Sequence, residues 1–485
     1  MDDKVTIRRL PSGVPGLDEL LGGGIPEFSF NLVAGTPGSG KTTLAHQMMF
    51  SLATPEASAL FFTVLGEPAL KMLRYQQQFR FFDMGKLDTS IRYVNLSADL
   101  LEGNLERLMT RMREEVAKHS PRYVFVDSFR SVVRASRWEE QRASELENFV
   151  QQLGMMMTSW QATTFLMGEY LQPESESAPV FTVADGILWL GQSMHRNSMV
   201  RKVQVVKMRG QAQVPGLHAF RIDQDGLRVF PRAIVEHSAE AAAPVTGRVS
   251  LGVPTLDEML GGGLPVGYSL LVVGPSGSGK TVLATEFLAE GARRGEPGVI
   301  AAFEKSPSQL LNNKLAALIA SNHVGVINTR ALDLTIDETL HELISLASRM
   351  KARRIVIDSL SGFELALSPE FSEDFRGSLY RMVAELTSRG MTVLMTSELE
   401  DRYTDLRFSP PGSAFLVDAI IAQRYIELDG QLKRALSVIK VRGSSHSKDI
   451  RLFDIGSEGL SMGAPLTEYS GILSGKPRRR SADAE

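Results

Sequence analysis

Short apolar runs recur along this chain, and they come in matched pairs. Residues 30–34 are answered by 270–273, 123–127 by 355–358, 163–167 by 392–395, and 184–190 by 418–422. Each run is too short for a buried helix and too continuous for a strand wetted on one face. Such runs predict strands covered on both faces, as in a parallel sheet. Behind the first pair, residues 45–52 and 284–291 carry apolar positions at helical spacing. Strand then helix, repeated in both halves, predicts an α/β fold. Each half is expected to hold a mostly parallel sheet with helices on both faces.

The pairing extends to the turns. Gly13-Val14-Pro15-Gly16-Leu17-Asp18-Glu19 recurs 239 positions later as Gly252-Val253-Pro254-Thr255-Leu256-Asp257-Glu258. Gly22-Gly23-Gly24-Ile25-Pro26 recurs at the same offset as Gly261-Gly262-Gly263-Leu264-Pro265. A period this long is a duplicated domain, far above the spacing of solenoid repeats. The expected organisation is an N-terminal domain at 1–236, a linker at 237–247, a C-terminal domain at 248–470 and a short tail at 471–485.

The first apolar run of each half leads into a glycine-rich loop. Gly35-Thr36-Pro37-Gly38-Ser39-Gly40-Lys41-Thr42 and Gly274-Pro275-Ser276-Gly277-Ser278-Gly279-Lys280-Thr281 both fit G-x-x-x-x-G-K-[ST]. Glycines let backbone amides turn toward phosphate oxygens, the lysine reaches the outer phosphates, and the threonine hydroxyl ligates Mg²⁺. With the next residues, Thr43 and Val282, these are the expected nucleotide contacts, for ATP with Mg²⁺. Two matches inside a longer repeat, each between a strand and a helix, make chance a poor account. Asp127 and Asp358 end apolar runs and are followed by Ser128 and Ser359. A carboxylate at that strand end is placed to hold the metal's water shell, beside Thr42 and Thr281.

Composition narrows the rest. A net charge of −3 gives no global attraction to nucleic acid. The chain has no cysteine, which excludes disulfides and thiolate metal sites. No apolar run approaches the ~20 residues needed to span a bilayer, and the N-terminus has no signal core. A cytoplasmic protein is expected, with neither membrane nor nucleic acid as partner. Arg478, Arg479 and Arg480 read as a solvated tail.

These motifs together, with Lys207-Met208-Arg209-Gly210 and Lys440-Val441-Arg442-Gly443 closing the halves, resemble the KaiC family of RecA-like ATPases. The resemblance covers nearly the whole chain. It implies two tandem RecA-like P-loop domains and a homohexameric double ring with ATP between subunits. Lys207 and Arg209, and Lys440 and Arg442, would then project into the neighbour's site and stabilise charge on the γ-phosphoryl. Lys41 and Lys280 join them as catalytic cations. The family's glutamate pair maps to Glu304 and Lys305 in the second half, but to Leu65 and Gly66 in the first, with Glu67 one position late. The resemblance therefore implies hydrolysis mainly in the second half, with Glu304 as base. His446 matches a family histidine that the first half lacks.

The family's phosphoacceptor pair maps to Ala414 and Phe415, which carry no hydroxyl; Ser413, Ser409 and Thr404 lie nearby. An ATP-driven switch for a partner protein, KaiB-like or signalling, is the leading expectation. A clock-type Ser/Thr autokinase is the alternative. A nucleic-acid motor, gripping with the basic stretch Arg130, Arg134, Arg137, Trp138 and Arg142, and a scaffold with ATP as glue come behind; pairing of that stretch with acidic neighbours at a subunit interface is the expected role. The counterpart stretch in the second half carries Glu370, Glu373 and Asp374. Few residues follow Ile472, so control by a KaiA-like partner through the tail is not expected.

Overall fold

A computed structural model describes residues 6–64, 69–101, 105–128, 142–170, 179–195, 198–232, 247–303, 313–328, 335–367, 375–399, 417–457, 459–472 and 478–479. Leu65 to Glu67, Arg130 to Trp138, linker residues 237–246, Glu304, Lys305, Glu370 to Asp374, Thr404, Ser409, Ser413 to Phe415 and Arg480 lie outside the described residues. The chain forms two compact units, Met1–Arg232 and Ala233–Glu485.

The first unit is built on nine strands: β1 (Phe30–Gly35), β2 (Ala59–Thr63), β3 (Ile91–Asn95), β4 (Tyr123–Asp127), β5 (Thr163–Glu169), β6 (Gly186–His195), β7 (Ser198–Met208), β8 (His218–Asp223) and β9 (Gly226–Phe230). Their order across the sheet is β9-β8-β7-β6-β1-β5-β4-β2-β3. From β6 to β3 all pairings are parallel, and β7 to β9 extend the sheet as an antiparallel meander. Side chains alternate across a strand, so one run feeds two cores. Val33, Phe61, Phe125 and Phe165 pack against Leu44, Ala45, Met48 and Met49 of helix α1 (Lys41–Leu52). Leu32, Leu60, Val124 and Leu166 face the other way, onto Leu108 and Met112 of α2 (Leu105–His119) and Phe149 and Leu153 of α3 (Arg142–Ser159).

The second unit repeats this plan with β10 (Ser269–Gly274), β11 (Gly298–Ala302), β12 (Val324–Asn328), β13 (Arg354–Asp358), β14 (Thr392–Glu398), β15 (Ala419–Leu428), β16 (Gln431–Val441), β17 (Ile450–Gly456) and β18 (Gly459–Pro465). The order is β12-β11-β13-β14-β10-β15-β16-β17-β18. Leu270, Val272 and Val356 pack on Leu283 and Phe287 of α4 (Lys280–Arg293). Leu271, Val273 and Ile355 pack on Leu340 and Leu343 of α5 (Ile336–Met350) and Met382 of α6 (Phe375–Ser388). Ile472 is buried beside Ile426, Leu428 and Ala435, and the exposed Arg478 and Arg479 pair with Ser470 and Tyr469. Among the described residues no helix is long and apolar enough to cross a membrane.

Candidate functional site

In each unit the central strand runs straight into the glycine-rich loop, and a helix starts at the loop lysine. The residue before that helix, Gly40 or Gly279, has φ of 101° or 107°, the left-handed region. That conformation favours glycine, and a Cβ there would also press on the movable tip of Ile222 or Ile455, at 2.6 Å. The first intrahelical bonds are Leu44 N–H to Gly40 O at 2.9 Å and Leu283 N–H to Gly279 O at 3.0 Å. The amides of the first turn, Lys41 to Thr43 and Lys280 to Val282, are left to face the loop, where the helix dipole favours an anion.

Lys41 Nζ donates to Gly35 O at 3.1 Å and Thr36 O at 2.8 Å; Lys280 Nζ donates to Gly274 O and Pro275 O, both at 2.8 Å. Burial lowers the pKa of Lys41, while Glu169 and then Asp127 push it back up. Thr42 Oγ1 donates to Asp127 Oδ2 at 2.7 Å, and Thr281 Oγ1 to Asp358 Oδ2 at 2.9 Å. Both aspartates precede a cis peptide bond to the following serine. In the second unit Thr396 Oγ1 also donates to Asp358.

The first loop opens on a cavity of about 440 Å³ lined by Gly38, Lys41, Thr42, Asp127, Glu169 and Arg201, among others. Arg201 Nε is buried there without a hydrogen-bond partner, and so, within the loop itself, are Thr36 Oγ1 and Ser39 Oγ. Orphaned donors in a polar cavity fit a polyphosphate, which supplies many acceptor oxygens. The hydroxyl–carboxylate pairs fit Mg²⁺, which takes few protein ligands and fills its shell with phosphate and water. No group of three His, Asp or Glu gathers at a metal-binding spacing among the described residues, so a full protein cage is not offered.

The Lys-x-Arg pairs sit elsewhere. Lys207 opposes Ile187, which opposes Leu32, and Arg209 N–H bonds Asp185 O just below that. Arg209 is thus level with Phe30, five residues before Gly35, or about 16 Å down the strand. Lys440 and Arg442 lie at matching levels, opposite Ile420 and beside Asp418. A bulge next to each lysine, at Ile187/Leu188 and Ile420/Ile421, re-aims the strand. Lys207 Nζ donates to Thr182 O at 3.1 Å and Lys440 Nζ to Val417 O at 2.8 Å. Burial lowers the pKa of both lysines, and the adjacent Arg209 or Arg442 lowers it further. Arg209 and Arg442 are half exposed, in contact with Asp185 at 3.1 Å and Asp418 at 3.5 Å. His446 follows in the same end of the unit, where Ser447 N–H bonds Met259 O at 2.8 Å. In the first unit Gln211 Nε2 instead donates to Leu21 O and Gly24 O, at 2.6 and 2.8 Å.

The structure thus brings Lys41, Thr42 and Asp127 together, and Lys280, Thr281 and Asp358. It keeps the Lys-x-Arg pairs and His446 away from their own loops. Three contributors were not anticipated from the sequence: Glu169, Arg201 and Thr396. Arg201 could have been found from the repeat, because Arg201 and Arg434 each stand six places before the lysine of Lys-x-Arg.

A family profile described as ATPase: KaiC matches residues 10–234 and again 249–466. The chain is 28% identical over 491 aligned residues to the circadian clock oscillator protein KaiC 1 of Synechocystis, covering 98% of this chain and 93% of that protein. It is 27% identical to the circadian clock oscillator protein KaiC of Picosynechococcus, covering 98% and 94%. It is 26% identical to the circadian clock protein KaiC3 of Synechocystis, covering 97% and 95%. With two RecA-like units and a duplicated phosphate loop, the chain belongs to the KaiC family of ATPases.

Proposed function

We propose that the protein is an ATP-driven ring, a homohexamer with nucleotide between subunits, whose nucleotide state sets the binding of a partner protein. The observation that carries this reading is the position of the Lys-x-Arg pairs. Each site has phosphate-loop groups at one end of the sheet and reserve cations at the other, so one subunit's loop is completed by its neighbour's Lys207 and Arg209, or Lys440 and Arg442. Gly35 to Thr43 and Gly274 to Val282 hold the phosphates, with His446 added by the neighbour in the second ring. Thr42 with Asp127, and Thr281 with Asp358, hold Mg²⁺, which neutralises phosphate charge when bound. Light scattering with and without Mg-ATP tests the assembly: a six-subunit mass that needs nucleotide is expected, and a monomer under all conditions overturns it.

Hydrolysis runs mainly in the second unit, with Glu304 activating water. Glu304→Gln is expected to lower steady-state phosphate release by ~10²–10⁴, the usual effect of losing a positioned base. Unchanged turnover would remove Glu304 from the chemistry. The partner is a protein, KaiB-like or signalling, in the cytoplasm, and added DNA or RNA leaves turnover unchanged. The relatives' clock names favour one second reading, a Ser/Thr autokinase. Label retained on protein after incubation with γ-labelled ATP would select it; label found only as free phosphate selects the switch.

A further inference from the structure

The first unit carries a carboxylate in its cavity that the motif logic does not use. Glu169 ends β5 in register with Gly35, one strand from the phosphate loop and on the side of Asp127. It is half-buried and lines the same cavity as Lys41, Thr42, Asp127, Ser128, Thr63 and Arg201. Its charge is the foremost carboxylate influence on Lys41, ahead of Asp127. The second unit is different at the same level. Glu398 is in register with Gly274, but it is exposed, and its amide bonds Ser361 Oγ at 3.2 Å.

The other groups lining the first cavity cannot take a proton from water. Lys41 and Arg201 are cations. Asp127 accepts the Thr42 hydroxyl and is the metal's carboxylate. Ser128, Thr42 and Thr63 are neutral alcohols. Glu169 is the remaining anionic acceptor among the described residues of the cavity.

We propose that Glu169 is the general base of the first unit, a role that rests on reading this cavity as an ATP site. The water oxygen bonds to the γ-phosphorus as its proton passes to the Glu169 carboxylate. The bond from the γ-phosphorus to the bridging oxygen breaks, and that electron pair leaves with ADP. Glu169 then releases the proton, so ATP and water give ADP, phosphate and H⁺.

The test uses the full chain with Lys280→Ala, which silences the second site. Slow phosphate release and retained ATP are expected. Adding Glu169→Gln should lower release by ~10²-fold or more. The same change should leave ATP binding equal or tighter, because a negative charge beside the phosphates has gone. Glu169→Asp should restore part of the rate. Unchanged release by Glu169→Gln, or ATP affinity lost in step with rate, overturns the role of Glu169 alone. Failure of the Lys280→Ala chain to bind ATP overturns the reading of the cavity and the role with it.

Discussion

Subunits carrying Arg442→Ala are expected to lose at least ~10³-fold of second-ring ATP turnover, the scale of a missing arginine finger. Subunits carrying Lys280→Ala should lose it as well. Mixed together, the two should recover activity that neither has alone. The reason is geometric: Arg442 lies five residues down the sheet from Gly274, so the loop and the arginine of one chain cannot serve one phosphate. A mixed interface can pair an intact Lys280 from one chain with an intact Arg442 from the next. Lys41→Ala in every subunit removes first-ring turnover from the readout. Recovery on mixing establishes supply in trans. No recovery from rings shown to contain both chains would place Arg442 in a structural role, holding Asp418.

Acidification should weaken the first unit by about 3 kcal/mol between pH 6.5 and 4 through His46 alone. His46 is fully buried on α1, one turn after Thr42, and packs at a tilt against Phe61 with ring centroids 4.6 Å apart. Its Nδ1 meets Thr42 O at 2.7 Å and so carries the proton, while Nε2 has no partner. Burial lowers its pKa from 6.5 to about 4, and the Thr42 carbonyl opposes this only in part. The sign follows from linkage. Above pH 6.5 both states are neutral and protonation contributes no difference in stability. As pH falls, the unfolded chain binds a proton that the folded chain refuses, and stability drops until both are protonated below pH 4. All three tryptophans, Trp138, Trp160 and Trp189, belong to the first unit, so their fluorescence isolates its unfolding. Denaturant melts across this range should show the loss. His46→Thr, copying Thr285 of the second unit, should flatten that part of the profile even if its plateau is lower. An equal slope in the variant would assign the loss to other groups.

The strands that position the site were legible because they are buried on both faces: the run at 123–127 coincides with β4, since nothing in it before Asp127 needs to be polar. Helix starts were less so. The helical pattern begins at Ala45, whereas α1 begins at Lys41, because the first turn spends its side chains on the loop rather than on a core. Glu169 escaped for a related reason. The apolar run ends at Met167, and Gly168 with Glu169 looks like the start of a loop, although both belong to β5. Arg201 sits in β7 among Lys202 and Gln204, where polar side chains mask the strand pattern. The level of Lys207 and Arg209 relative to Gly35 depends on strand register across three strands, which no local pattern encodes.

The place of β1 in the middle of its sheet also orders the birth of the molecule. β1 is made early, yet its two neighbours are β5 and β6, which come from far later in the chain. Pairing across such separations is slow, because loop closure must precede the contacts that reward it. A nascent chain that has not yet extended past Leu190 cannot hold Gly35 between its partners. The phosphate loop is therefore among the last features of the first unit to take shape, although its residues are among the first translated. During synthesis ATP is a late arrival, able to seal a finished sheet and unable to template an unfinished one.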